Sequence, residues 1–331
     1  MTFDDTLPII FMALMGISML AYVVLDGYDL GVGMLMHRAD EAHKDTMVAS
    51  IGPFWDANET WLVLGVGILL IAFPKAHGMV LGALYLPVTL MLVGLVMRGV
   101  AFDFRVKARD SHKQTWNRVF FAGSAIAATS QGWMLGHYIT GLNEGWTHDL
   151  FAAAIAVALP AAYVLLGAGW LILKTDGALQ THAVTWAKLA WPPVVIGLGL
   201  VSLATPWVSD TVRDRWFSMP GFIALLPIPL TTLGALALIR VSLNSSRVTG
   251  KLCWAPFALT VAVFVLGFFG LAYSLFPFVV MDRLTLQQAA SSPATLKVVL
   301  FGAAVTVPMI AAYTVFSYRV FRGKIGALRY A

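Results

Sequence analysis

LPIIFMALMGISMLAYVVLDGYDLGVGML, residues 7–35, is an apolar run long enough to cross a lipid bilayer, and it carries two aspartates, Asp26 and Asp29, towards its far end. A bilayer core about 30 Å thick needs roughly 20 apolar residues of helix per crossing. Eight further runs qualify, at approximately 51–73, 79–102, 119–139, 150–173, 189–207, 220–239, 254–280 and 296–321. The sixth and seventh runs are interrupted by Pro192, Pro193, Pro227 and Pro229. Membrane helices tolerate proline where neighbours satisfy the freed carbonyls. The pattern predicts an all-α, polytopic integral membrane protein: nine transmembrane helices in one domain over residues 1–331.

Composition agrees. Of 331 residues, 59% are hydrophobic and 12% charged, with a mean hydropathy of +0.79. A soluble domain carries roughly 25% charged residues, so lipid is the expected solvent. The net charge of +5 and pI near 9.3 do not point to nucleic acid, because the basic residues sit in short loops between apolar runs. The single cysteine, Cys253, rules out an internal disulfide framework or a cysteine-based zinc site. The acidic start, Met1-Thr2-Phe3-Asp4-Asp5, lacks the basic region of a cleaved signal peptide, so the first run is expected to persist in the mature protein.

Orientation follows from Lys and Arg. One side holds sixteen of the 22, among them Arg105, Lys107, Arg240, Arg322 and Arg329; the other holds five, Lys75, Arg213, Arg215, Arg283 and Lys297. Arg98 lies within the third run. The positive-inside rule places the N-terminus in the periplasm and the C-terminus in the cytoplasm, as an odd number of spans requires.

Charge at membrane depth costs about 2.5–3.5 kcal/mol on insertion scales, so each instance needs a reason. If the first helix continues through Asp26-Gly27-Tyr28-Asp29, the two carboxylates share a face and suit proton transfer. If it ends at Leu25, Asp-Gly is an exit turn. In Trp55-Asp56-Ala57-Asn58-Glu59-Thr60-Trp61, Asp56 and Glu59 are likewise three apart. Acids in a first turn also complement the helix dipole, and both tryptophans suit an interface. Arg98 either snorkels to water or pairs with Asp26, Asp29, Asp56 or Glu59. A buried cation among acids would hold some ionised and leave others protonatable. These residues together make a plausible cytoplasmic proton inlet. His137 and Gln131 form a fourth polar spot. An interfacial, hydrogen-bonded histidine is expected there, and no metal or haem ligand in this chain. Nucleotide-binding, c-type haem, zincin and EF-hand motifs are absent. Gly31-Val32-Gly33 and Gly65-Val66-Gly67 read as small-residue helix packing.

The stretches 26–33, 55–61 and 98–105, with Phe276-Pro277-Phe278 and the segment 284–292, resemble subunit II of the cytochrome bd quinol oxidases, a group that includes the cyanide-insensitive type. These anchors run from the first span to the ninth. The resemblance implies two four-helix bundles plus one peripheral helix, paired with a haem-bearing subunit I. Two b-type haems, one d-type haem and the quinol site would lie in that partner, and none would be ligated here. Quinol oxidation is coupled to reduction of dioxygen to water, generating a proton-motive force without pumping. Acids matching Asp26, Asp29 and Asp56, with a base matching Arg98, are associated with a water-filled proton path. A tryptophan matching Trp61 is associated with an oxygen route. The resemblance leaves room for single-helix accessory subunits and for a structural quinone or lipid.

Departures are visible. Glu59 stands where many members have Gln, adding an ionisable group to the path. Met281-Asp282-Arg283 replaces a Pro-rich, uncharged stretch. Short later loops agree with the cyanide-insensitive branch. A proton-coupled transporter is the main alternative, but its carboxylates are expected at the midplane, whereas these cluster to one side. A purely structural membrane anchor would leave the acids of the first three spans unexplained.

Overall fold

The computed structural model of the chain describes residues 2–325; Arg329 of the orientation count lies outside them. Fourteen helices run in the order α1 (Phe3–Leu35), α2 (Glu41–Ile51), α3 (Trp55–Ala72), α4 (Pro74–Ala83), α5 (Tyr85–Lys107), α6 (Asp110–Ile139), α7 (Trp146–Lys174), α8 (Gly177–Val208), α9 (Asp210–Phe217), α10 (Gly221–Leu225), α11 (Pro227–Asn244), α12 (Ala255–Leu275), α13 (Leu286–Ala289) and α14 (Pro293–Val320). Between α12 and α13, β1 (Phe278–Val280) and β2 (Leu284–Thr285) form an antiparallel hairpin.

Eight segments among the described residues are long and apolar enough to cross a membrane: those of α1, α3, α5, α7, α8, α10 with α11, α12 and α14. The chain is an integral membrane protein. The fourth expected span, α6, is 30 residues long but more polar, with Thr129, Ser130 and Gln131 in its second half.

Helix α1 opens on a capping box in which Thr2 and Asp5 satisfy each other's backbone donors. It does not stop at Leu25. Every residue from Asp26 to Leu35 is buried, because the glycines let α7 approach closely. A Cβ on Gly31 would collide with the Tyr163 carbonyl, and Gly167 faces the same crossing. The exit-turn alternative is thereby excluded. A second close crossing, Gly94 against Gly123, joins α5 to α6.

Helix α1 packs against both α3 and α6, and α5 packs against α6. Helices α7, α8, α11 and α12 form a further packed set, α6 and α1 lie against α7, and α14 rests on α3 and α1. Only Leu296, Thr314 and Ser317 of α14 are buried, and Val63, Val96 and Phe301 project from α3, α5 and α14 more than 60% exposed. Such apolar surface belongs against lipid or another membrane chain.

Two boundaries differ from expectation for identifiable reasons. The run 220–239 is split at Leu226, since Pro227 lacks an N–H to continue the helix ladder. The run 254–280 ends as a helix at Leu275, and its apolar tail, Phe278 to Val280, is strand β1. Met281-Asp282-Arg283 forms the hairpin turn, with Asp282 at φ 56°. Arg283 donates from Nη2 to the Leu142 carbonyl at 3.1 Å, tying the hairpin to the loop after α6.

Candidate functional site

Arg98 is the centre of the site. The Gly94–Gly123 crossing closes α6 onto one side of α5 near Arg98, and the guanidinium meets acids from α1 and α3. Its Nη1 lies 2.5 Å from Asp26 Oδ1, and its Nη2 contacts Glu59 Oε1. The Arg98 side chain is 2% exposed, Asp26 1% and Glu59 27%. Arg98 therefore does not snorkel. It is a buried cation held by two carboxylates, one sealed and one reaching the surface.

Asp29, fully buried, is held by a different group. Asn58 donates from Nδ2 to Asp29 Oδ2 at 2.8 Å and to the Tyr28 hydroxyl at 3.0 Å. Asn58 Oδ1 accepts from the Tyr318 hydroxyl at 3.2 Å, and the two tyrosine hydroxyls are 2.5 Å apart. This ties α1, α3 and α14 at one buried point. Tyr28 also stacks on Trp170 of α7 at 4.3 Å between ring centroids.

Within the chain, neither Asp26 oxygen accepts a well-directed hydrogen bond, and Asp29 Oδ1 and Arg98 Nε are also without one. Buried polar atoms are normally satisfied by protein or ordered water, so an unsatisfied cluster is functional or hydrated. A narrow cleft with no room for a free water adjoins it, lined by Asp29, Arg98, Ile51, Trp55, Phe102 and Phe120. One guanidinium balances one carboxylate.

Four expected residues, Asp26, Asp29, Glu59 and Arg98, thus come together. Asp56 does not join them. It is exposed on the first turn of α3, one turn before Glu59. Trp61 is separate and 6% exposed, and its indole N–H donates to Thr314 Oγ1 at 3.3 Å, so it is a buried link between α3 and α14. His137 lies 3.4 Å from Asp149, as suits an interfacial histidine. Gln131, expected beside it, instead donates to the Tyr22 hydroxyl at 2.8 Å and accepts from the Tyr163 hydroxyl at 2.7 Å. Sequence reasoning missed Asn58, Tyr28 and Tyr318. Asn58 does sit one turn from Trp61 and Trp55 in the same polar opening of α3, the one signal that could have drawn attention to it.

The family model described as cytochrome bd terminal oxidase subunit II matches residues 7–321. The chain belongs to that family. Subunit II of this oxidase is part of an oxidoreductase, a respiratory terminal oxidase. The chain is 28% identical to the cytochrome bd ubiquinol oxidase subunit 2 of Bacillus subtilis, over 94% of this chain and 95% of that one. It is 27% identical to the cytochrome bd-I ubiquinol oxidase subunit 2 of Escherichia coli K12, over 97% and 96% respectively. The fold is similar to that of a chain in the bd oxidase from Geobacillus thermodenitrificans, with a TM-score of 0.78, 16% identity, and 96% of this chain and 98% of that one covered. In this subunit II the buried Arg98 cluster occupies the first three apolar helices, α1, α3 and α5.

Proposed function

We propose that this chain is the haem-free subunit II of a quinol:oxygen oxidoreductase in a bacterial inner membrane, and that its carboxylates take up cytoplasmic protons for oxygen reduction in a haem-bearing subunit I. One observation carries the reading: exposure falls from the opening of α3 inward to a buried cluster of acids around Arg98. Asp56 is exposed, Glu59 is 27% exposed at its side chain, and Arg98, Asp26 and Asp29 are sealed. A proton accepted at the rim has successive acids, spaced one helical turn apart on α3 and again on α1, to which it can pass. Arg98 keeps the row hydrophilic at membrane depth, where isolated charges are disfavoured.

Nine crossings fit this reading, with α6 supplying the span between α5 and α7, against both of which it packs. Helices α1, α3, α5 and α6 make one four-helix bundle, α7, α8, α11 and α12 the second, and α14 is the peripheral helix. The excess of basic residues beyond the inner ends of these helices puts the C-terminus in the cytoplasm and the N-terminus in the periplasm. The Arg98 cluster then lies near the inner leaflet. Trp61, fixed to Thr314, borders the oxygen route as a rigid wall between α3 and α14. An open groove lined by Leu25, Thr314, Val315 and Tyr318, with Arg319 and Arg322 at its edge, suits a membrane lipid or a structural quinone.

The haems of the complex, two b-type and one d-type, reside in subunit I and supply the electron transfer from quinol to dioxygen there. The whole complex builds a proton-motive force without pumping.

Purification through an affinity tag on this chain tests the assignment. A haem-bearing partner of similar size should co-elute, with or without single-helix accessory subunits, and the preparation should oxidise quinol with oxygen. A colourless, monodisperse chain without oxidase activity would contradict the proposal and favour a transporter.

A further inference from the structure

Asp40, His43 and His182 meet on the surface, although the first two precede or open α2 and the third lies in the first turns of α8. Each offers one ligand atom, and all three atoms lie within 4.8 Å of one another. Asp40 occupies the N-cap position of α2, where an aspartate ordinarily accepts a hydrogen bond from its own helix. Its side chain makes no such bond. The carboxylate instead faces His43, one turn along, with Oδ2 3.9 Å from Nδ1, too far for a hydrogen bond. That Nδ1 is itself buried and has no hydrogen-bond partner. The His182 ring stands nearly perpendicular to the His43 ring, at 83° and 5.7 Å between centroids, with Trp186 packed at its side.

An uncapping acid, an orphaned ring nitrogen and a second imidazole that all face one point describe a ligand set better than a hydrogen-bonded cluster. We propose that Asp40, His43 and His182 bind a divalent first-row transition cation of the zinc class. Two imidazoles and one carboxylate are the donors such ions prefer, whereas calcium and magnesium take mainly oxygen. Bonds of about 2.0–2.2 Å from each donor draw the ligand atoms closer together than they stand here. Asp40 and His182 are exposed and His43 half-buried, so no packed core fixes the three side chains where they stand. Three protein ligands leave a fourth position for water.

The consequence is a clip. Helix α2 is already tied on one side to α5 and α6, through Asp45 to Arg105 at 2.7 Å and Glu41 to Asn117 at 3.3 Å. The cation would tie its beginning to α8 on the other side. Its last residue, Ile51, lines the crevice beside Asp29 and Arg98, so holding α2 also holds that wall.

The test uses the purified oxidase complex, stripped with a chelator and dialysed against limiting free Zn²⁺. The wild-type complex should retain one more zinc per chain than a His43→Ala/His182→Ala variant, by elemental analysis. Asp40→Asn should weaken retention by about tenfold or more. Zinc should slow amide exchange across residues 41–51 in the wild type and leave it unchanged in the double variant. Equal zinc content in wild type and double variant, or exchange across 41–51 indifferent to zinc, would overturn the proposal. An intact haem spectrum certifies assembly of the variants. If the double variant fails to assemble, His182→Gln alone, read the same two ways, decides the matter.

Discussion

Asp26→Asn and Glu59→Gln each remove one carboxylate from the same guanidinium, and the structure ranks them. Both substitutions keep side-chain shape, so the difference between them is electrostatic. Asp26 and Arg98 are sealed, at 1% and 2% side-chain exposure, while Glu59 is 27% exposed. Removing one partner of a buried pair typically costs about 3–5 kcal/mol, because the remaining charge stays desolvated. A pair with access to solvent contributes about 1 kcal/mol or less. At about 2 °C per kcal/mol for a chain of this size, Asp26→Asn should lower the thermal midpoint by roughly 6–10 °C and Glu59→Gln by about 2 °C. The assay is loss of the native haem spectrum of the purified complex on heating, with wild type and both variants at one protein and detergent concentration. Equal shifts, or a larger one for Glu59→Gln, would refute the claim that Asp26 is the principal partner of Arg98.

Three further outcomes follow from named contacts. Asn58→Leu removes the donor to Asp29 and Tyr28 and the acceptor for Tyr318; leaving these buried groups unpaired should cost about 1–3 kcal/mol each, read as a lowered midpoint in the same assay. Gly31→Leu forces a side chain into the Tyr163 backbone and should abolish assembly, since overpacking alone costs about 1–3 kcal/mol and a backbone clash more; normal yield of the complex would contradict the close α1–α7 crossing. Trp61→Ala should change the apparent oxygen affinity of the complex in stopped oxygen-consumption traces, and an unchanged affinity would make Trp61 a plain link between α3 and α14.

The membrane class was legible because nine apolar runs are a far stronger signal than any local motif. The turn at 278–285 was not, since Phe278-Val279-Val280 continues the apolar composition of the helix before it. Asp26 and Asp29 could be paired from spacing alone once α1 was taken as continuous. The burial of Arg98 could not, because sequence gives no rotation of α5 about its axis: the same residue on another face would have snorkelled. Asp56 shows the same limit, sharing the α3 opening with Glu59 yet facing outward. Gln131 lies close to His137 in sequence, but its partners Tyr22 and Tyr163 belong to α1 and α7, and only tertiary packing brings them to it. Asn58 carries little signal of its own, because an asparagine inside a helix is a common, weakly informative residue until its neighbours are known.

The central claim is that protons reach the oxygen chemistry through this subunit's carboxylates. Its most direct test is proton uptake from the cytoplasmic side by the complex in sealed liposomes, followed with a pH-sensitive dye during a single oxygen-reducing turnover. Asp29→Asn should slow that uptake about tenfold or more, and Asp56→Asn should slow it as well, with the haem spectrum of both intact. Uptake at the wild-type rate in both variants across a wide pH range would remove these acids from the path and contradict the account.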